Sequence, residues 1–175
     1  IPPPCPLNEK ATRIFEASTY GGDKALVEDL LLKQYHNSHW PVTIFRPQGV
    51  FGPYDSWQVG FVYYRLTRGL PIFVFPGNNS KANPLFVEDL VNAFLLVMDN
   101  PISYGATYGV AGNHVVSILE MIELCGKQIN CTPILHHVDK PILYDGFNVG
   151  VSWLEHDLVA DCCKVKNELG LILTP

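Results

Sequence analysis

Short runs of apolar and β-branched residues, each closed by proline or glycine, alternate along this chain with longer stretches of helical spacing. No other feature limits the possible folds as much. A parallel neighbour can be reached only through a crossover of a dozen or more residues, so strands separated by helices pair in parallel. The spacing predicts helices over about 12–35, 57–69, 87–98, 116–127 and 161–169, the last closed by Gly170. Strands are expected over 41–46, 71–75, 106–110 and 134–138. Residues 1–11 are proline-rich and read as an extended surface loop, and 77–83 as a polar turn. The expected class is α/β with mostly parallel strands.

The run Pro41-Val42-Thr43-Ile44-Phe45-Arg46 lacks clean alternation, as in a strand buried on both faces, and it stops at Pro47. Beyond it, Gln48-Gly49-Val50-Phe51-Gly52-Pro53 is a glycine-rich loop past a strand end, the place where open α/β sheets bind ligands. Gly21 and Gly22 stand inside the first helical stretch, where each glycine costs roughly 1 kcal/mol relative to alanine. They imply a close backbone approach or an irregular first turn. Glu88 and Asp89 open the helix at 87 and complement its dipole, with Asp89 read as a cap. Arg46 is a candidate for pairing with an acid at the sheet edge.

The residues that suggest chemistry are Tyr20 and Lys24. Four apart near a helix start, they project from one face. A phenol with a pKa of roughly 10 is a sluggish acid or base near neutrality, and a neighbouring ammonium favours its phenolate. Such a pair can move a proton on and off a hydroxyl or carbonyl oxygen.

Seventeen acids against twelve bases give a net charge of -5, a field that repels polyanions and argues against nucleic acid as a partner. Five cysteines lack a Cys-x-x-Cys pair or a zinc-type set with histidine, which suggests reduced thiols in a cytosol-like, cytoplasmic compartment. The six histidines, His136 and His137 among them, lack partners at ligand spacing and read as surface or structural, and no metal is expected. The first residues have no basic region followed by an apolar run, so neither a signal nor a transit peptide is expected, and no stretch suits a membrane span.

Four landmarks in order give the chain a family likeness: Tyr20-x-x-x-Lys24, a strand ending Arg46-Pro47, Val50-Phe51-Gly52-Pro53, and Phe86-Val87-Glu88-Asp89-Leu90. Together they resemble the second half of the extended short-chain dehydrogenases/reductases, the NAD-dependent epimerases and dehydratases. The closing Lys166-Asn167-Glu168-Leu169-Gly170-Leu171 is similar to that family's last helix. The resemblance implies one incomplete domain over 1–175. Residues 1–53 would be the end of a Rossmann-type parallel sheet with its catalytic helix, and 54–175 mainly a small substrate-binding lobe with returning sheet elements. It also implies an NAD or NADP cofactor, a sugar-like or nucleotide-sugar substrate, and a homodimer through the Tyr20 helix. Tyr20 would be the acid/base, and Lys24 would bind the nicotinamide ribose and lower the tyrosine pKa. The backbone of Pro47, Gln48, Gly49 and Val50 would pass the nicotinamide, and Gly49, Lys81 and Asp89 would border the substrate.

Three departures qualify the likeness. No Gly-x-x-Gly-x-x-Gly turn occurs before Tyr20, so the cofactor-binding N-terminal half is missing from this sequence and the chain alone is expected to be inactive. Gly49 stands where nucleotide-sugar enzymes commonly carry asparagine. Ser80-Lys81-Ala82-Asn83 lacks their diphosphate-clamping arginine, leaving Lys81 as a point charge. Some similarity to the chloroplast stem-loop-binding branch, in the missing clamp and around His136-His137-Val138, sets a non-catalytic RNA- or protein-binding role as the alternative.

Overall fold

The computed structural model describes residues 6–13, 19–74, 79–138 and 156–175. In chain order the elements are α1 (Tyr20–Ser38), β1 (Ile44–Pro47), β2 (Val50–Phe51), α2 (Val59–Thr67), β3 (Ile72–Val74), β4 (Lys81–Ala82) and β5 (Leu85–Phe86). They continue with α3 (Val87–Val97), a 3-10 turn at Pro101–Ser103, β6 (Thr107–Val110), β7 (Val116–Ser117), α4 (Ile118–Gln128), β8 (Leu135–His137) and α5 (Cys163–Leu169). The strands form pairs. β1 with β6, β2 with β5 and β3 with β8 are parallel, and β4 with β7 is antiparallel. The expected α/β class with mostly parallel strands holds.

Two groups of buried side chains organise these elements. Val62, Leu66, Ile72, Ile118, Ile122 and Cys125 unite α2, β3 and α4. Leu85, Ala93, Tyr108, Val110, Val165 and Leu171 unite β5, α3, β6, α5 and the segment after it. The second group follows from covering a parallel pair on one face: Phe45 of β1 meets Phe94 of α3 edge-on at 5.1 Å and tilts against Tyr108 of β6 at 6.0 Å.

Several sequence expectations need correction. The first helix does not start near Thr12. Thr19 is its N-cap, extended at φ -111°, and accepts the Gly22 amide on its Oγ1 at 3.1 Å. The helix runs on to Ser38 and stops where His39 turns left-handed at φ 54°. The first turn is regular, and a side chain at Gly21 would meet nothing within 4 Å, so neither reason given for that glycine applies. β1 is half-buried rather than buried on both faces, and Pro47 at its end is exposed; at its edges, among the described residues, it has β6 on one side and no strand on the other. The loop at 48–53 contains β2, and the turn at 77–83 contains β4; both exist only through distant partners. Residues 75–78 of that region, and 1–5 of the proline-rich start, lie outside the described residues. The helix expected from 116 begins at Ile118, because Val116 and Ser117 pair with β4 and Ser117 forms a capping box with Glu120. The last helix starts at Cys163 and ends as expected at Gly170, left-handed at φ 69°.

The two edges of the β1–β6 pair differ. On the outer side of β6, Glu9 Oε1 accepts the Gly109 amide at 2.8 Å and Lys164 Nζ donates to the Thr107 carbonyl at 2.8 Å. Side chains thus satisfy the groups another strand would take. The Leu7 segment lies alongside, bonded to Val159 and Asp161. Among the described residues the outer side of β1 has no strand partner.

Candidate functional site

Tyr20 is the first residue of α1 and Lys24 lies one turn on, with its Nζ 5.4 Å from the centre of the tyrosine ring. The phenol is 81% exposed. Lys24 lines a cavity of about 470 Å³ at the carboxyl end of β1 together with Glu28, Arg46, Pro47 and Gln48. The sheet places them there: Gln48 donates its amide to the Val110 carbonyl at 2.8 Å, carrying the β1–β6 ladder one step past Pro47, and its Nε2 reaches the Leu158 carbonyl at 2.7 Å. The structure therefore gathers Lys24, Pro47 and Gln48 around one space, with Tyr20 on the same helix face.

The remaining sequence candidates lie elsewhere. Gly49 lines a separate cleft of about 20 Å³ with Gln58 and Ala82, and its carbonyl accepts the Leu85 amide at 3.0 Å. A Cβ on Gly49 would stand 2.5 Å from Gln58 Nε2, so the Gln58 carboxamide occupies the space of a side chain at 49. Val50 is held in β2 against Leu85. Lys81 is exposed on β4 opposite Ser117, with its amide on Asp157 at 2.8 Å.

Asp89 is 3% exposed and does not cap α3; the cap position is Phe86, which makes no side-chain bond. The two carboxylate oxygens instead accept the Thr174 amide, each at 3.1 Å, and Oδ1 also accepts the Thr174 hydroxyl at 2.8 Å. Both residues line a third cavity of about 510 Å³. Its wall includes Cys125, whose thiol pKa burial pushes up, which keeps it protonated near neutrality. His136 and His137 are exposed on β8, and among the described residues no group of three or more acids, histidines and cysteines is placed to hold a metal.

Sequence reasoning missed two parts of this region. Asn83 is buried, and its carboxamide donates to the Ala160 carbonyl at 2.9 Å and accepts the Ala160 amide at 3.0 Å, tying the turn before β5 to the returning chain. Glu28 is 8% exposed and takes two bonds from Arg46, Nε to Oε2 at 3.0 Å and Nη2 to Oε1 at 2.6 Å. Arg46 does pair with an acid, and the acid is on α1. Its spacing of eight from Tyr20, on the same face, is the signal that would have found it.

Among the described residues no helix is long and apolar enough to cross a membrane. A family model described as "NAD dependent epimerase/dehydratase family" matches residues 2–111. A curated reductase of Pseudomonas aeruginosa, UDP-2-acetamido-2,6-beta-L-arabino-hexul-4-ose reductase, is 30% identical over 110 residues, covering 59% of this chain and 29% of its own length. A dTDP-glucose 4,6-dehydratase from Bacillus anthracis, solved with NAD, superposes with a TM-score of 0.74 at 20% identity, covering 95% of this chain and 52% of that one. A UDP-glucuronic acid 4-epimerase from Bacillus cereus, also solved with NAD, gives 0.73 at 18% identity over 89% and 45%. At such identities the two structures speak for the fold alone. The chain spans about half the length of these solved proteins and under a third of the curated reductase.

Proposed function

The chain belongs to the NAD-dependent epimerase/dehydratase family, and from that premise we propose that it is the catalytic-helix and substrate-lobe portion of an NAD(P)-dependent epimerase, dehydratase or reductase acting on a nucleotide sugar. The observation that carries the reading is the placement of Lys24, one turn from Tyr20, in the cavity that also holds Pro47 and Gln48 at the end of β1. That cavity suits a dinucleotide's nicotinamide end: an ammonium for ribose hydroxyls, a flat proline wall and a strand-end backbone. A bound nicotinamide would supply hydride acceptance and return at the carbon bearing the reacting oxygen. Tyr20 takes the proton from that oxygen, or gives it back, through its phenolic Oη. Lys24 would hold the nicotinamide ribose through its ammonium, one turn from the phenol.

The 175 residues contain no glycine-rich pyrophosphate turn. The half that binds the rest of the dinucleotide is proposed to pair along the open side of β1, which the side-chain closure of the β6 edge supports. The outward side of α1 carries Leu26, Val27 and Leu30, exposed by 51%, 51% and 67%, which supports pairing of two copies through this helix.

The test is Tyr20→Phe in the polypeptide that carries this chain with its cofactor-binding half, assayed with NAD(H) and UDP- or dTDP-linked sugars. Turnover should fall by about 10²–10⁴-fold with the affinity for the sugar nucleotide retained. Normal turnover in the variant sinks the mechanism. RNA binding with a steep salt dependence, and no nicotinamide binding, would favour a non-catalytic role on the same fold.

A further inference from the structure

We propose that Glu28 and Arg46 form a positioning pair that sets the Tyr20–Lys24 face of α1 in register with the strand end bearing Pro47 and Gln48; the inference rests on the reading of Tyr20 and Lys24 given above. Little else holds this helix to the sheet. Of the nineteen residues of α1 only Gly22, Ala25 and Glu28 are buried, while Leu26, Val27 and Leu30 face outward. Two of the three buried residues are a glycine and an alanine, which allow close approach but grip nothing. The directional contact to the sheet is Glu28.

Tyr20, Lys24 and Glu28 occupy successive turns of one face, so Glu28 stands about 6 Å beyond Lys24 along the axis. Arg46 meets it side-on through Nε and Nη2, a geometry that fixes the guanidinium plane against the carboxylate plane. The remaining nitrogen of that guanidinium, Nη1, donates to the Glu9 carbonyl at 3.2 Å, and Glu9 in turn holds the Gly109 amide of β6. On the helix side, Thr107 Oγ1 lies 3.4 Å from Glu28 Oε1, and Arg13 reaches both Glu28 at 3.6 Å and Asp29 at 2.5 Å. One carboxylate thereby joins α1 to both strands of the pair. Arg46 is bonded along the chain to Pro47 and Gln48, and Lys24, Glu28, Arg46, Pro47 and Gln48 border the same cavity. A shift of α1 along β1 would carry the ammonium away from the wall it works against while leaving the Tyr20–Lys24 spacing intact.

An ion pair that merely held the fold together could be exchanged for apolar side chains of similar size, because desolvation offsets much of a buried pair's attraction. An orienting pair could not. The experiment is therefore Glu28→Met with Arg46→Met in the polypeptide complete with its cofactor half, with thermal midpoint, KM for NAD and kcat read together. The expected result is an unchanged midpoint, a KM for NAD raised and a kcat lowered so that kcat/KM falls about 10²-fold, the loss typical of a misplacement near 1 Å. Arg46→Lys, which keeps the charge and loses the side-on geometry, should show a smaller loss in the same parameters. Wild-type kinetics in the folded methionine pair overturn the inference. If that pair does not fold, Arg46→Lys decides: unchanged KM and kcat overturn it, and a raised KM at an unchanged midpoint supports it. Tyr20→Phe serves as the control. An inactive Tyr20→Phe beside normal Glu28 and Arg46 variants rejects the positioning pair alone, and an active Tyr20→Phe rejects the reading beneath it.

Discussion

Asp89 is a carboxylate almost fully withdrawn from water, and among the described residues it has no cationic partner. Its charge is met by the Thr174 amide and hydroxyl, and its place in the first turn of α3 puts it at the positive end of the helix dipole. Thr174→Val removes the 2.8 Å hydroxyl bond and leaves the two amide contacts. A hydrogen bond to a charged group contributes about 1.5–3 kcal/mol, and with the two amide contacts retained about 2 kcal/mol is expected. For a chain of this size that corresponds to a fall of roughly 4–8 °C in the melting midpoint. The decisive comparison is the same change made in Asp89→Ala. There the hydroxyl has no carboxylate to satisfy, Thr174 is exposed to water, and Thr174→Val should cost no more than about 0.5 kcal/mol. Leu171 and Leu173, both buried, hold the segment in place in each background, so the difference between the two costs isolates the hydroxyl–carboxylate contact. Melting followed by circular dichroism and urea titration measure all four proteins. Equal losses from Thr174→Val in both backgrounds would refute the reasoning.

Tyr108 donates to Glu168 Oε2 at 2.9 Å, and burial, aided by that carboxylate, pushes its pKa up to about 12. A phenol raised above its unfolded value contributes stability that is present below pH 10 and is lost as pH rises towards 12; Tyr108→Phe should flatten that part of the urea-midpoint profile relative to wild type. The Glu120 carboxyl lies below its ordinary range because the Ser117 amide donates to it. Its contribution is present above the unfolded pKa and disappears as pH falls through the folded one. Glu120→Gln should therefore lose less stability than wild type on acidification below about pH 4.5. Ser117→Ala removes the other half of the capping box and should cost about 1 kcal/mol, read from the shift in urea midpoint at constant slope. Asn83→Ala leaves the Ala160 amide and carbonyl without their partner and should cost roughly 1–3 kcal/mol, with faster amide exchange at Ala160 as the local signature.

The sequence by itself determined the class of fold, since runs of apolar residues alternating with helical stretches favour parallel pairing, and β1 with β6 and β3 with β8 do so, while β4 with β7 is antiparallel. It also determined local features whose causes lie within a turn of chain: the shared face of Tyr20 and Lys24, the left-handed stop at Gly170, and the acids opening α3. Tertiary structure decided whatever depends on partners far along the chain. β2, β4, β5 and β7 are two residues each, too short to carry a pattern, and exist because their partners lie far along the chain. Arg46 is 18 residues from Glu28 and Thr174 is 85 from Asp89, so neither bond leaves a local trace. The same holds at the candidate site. The four-residue spacing set Lys24 beside Tyr20, but only the tertiary structure brings Lys24 to the cavity it shares with Pro47 and Gln48. A hydrogen bond is specified by where two groups meet in space, and a sequence records only their distance along the chain.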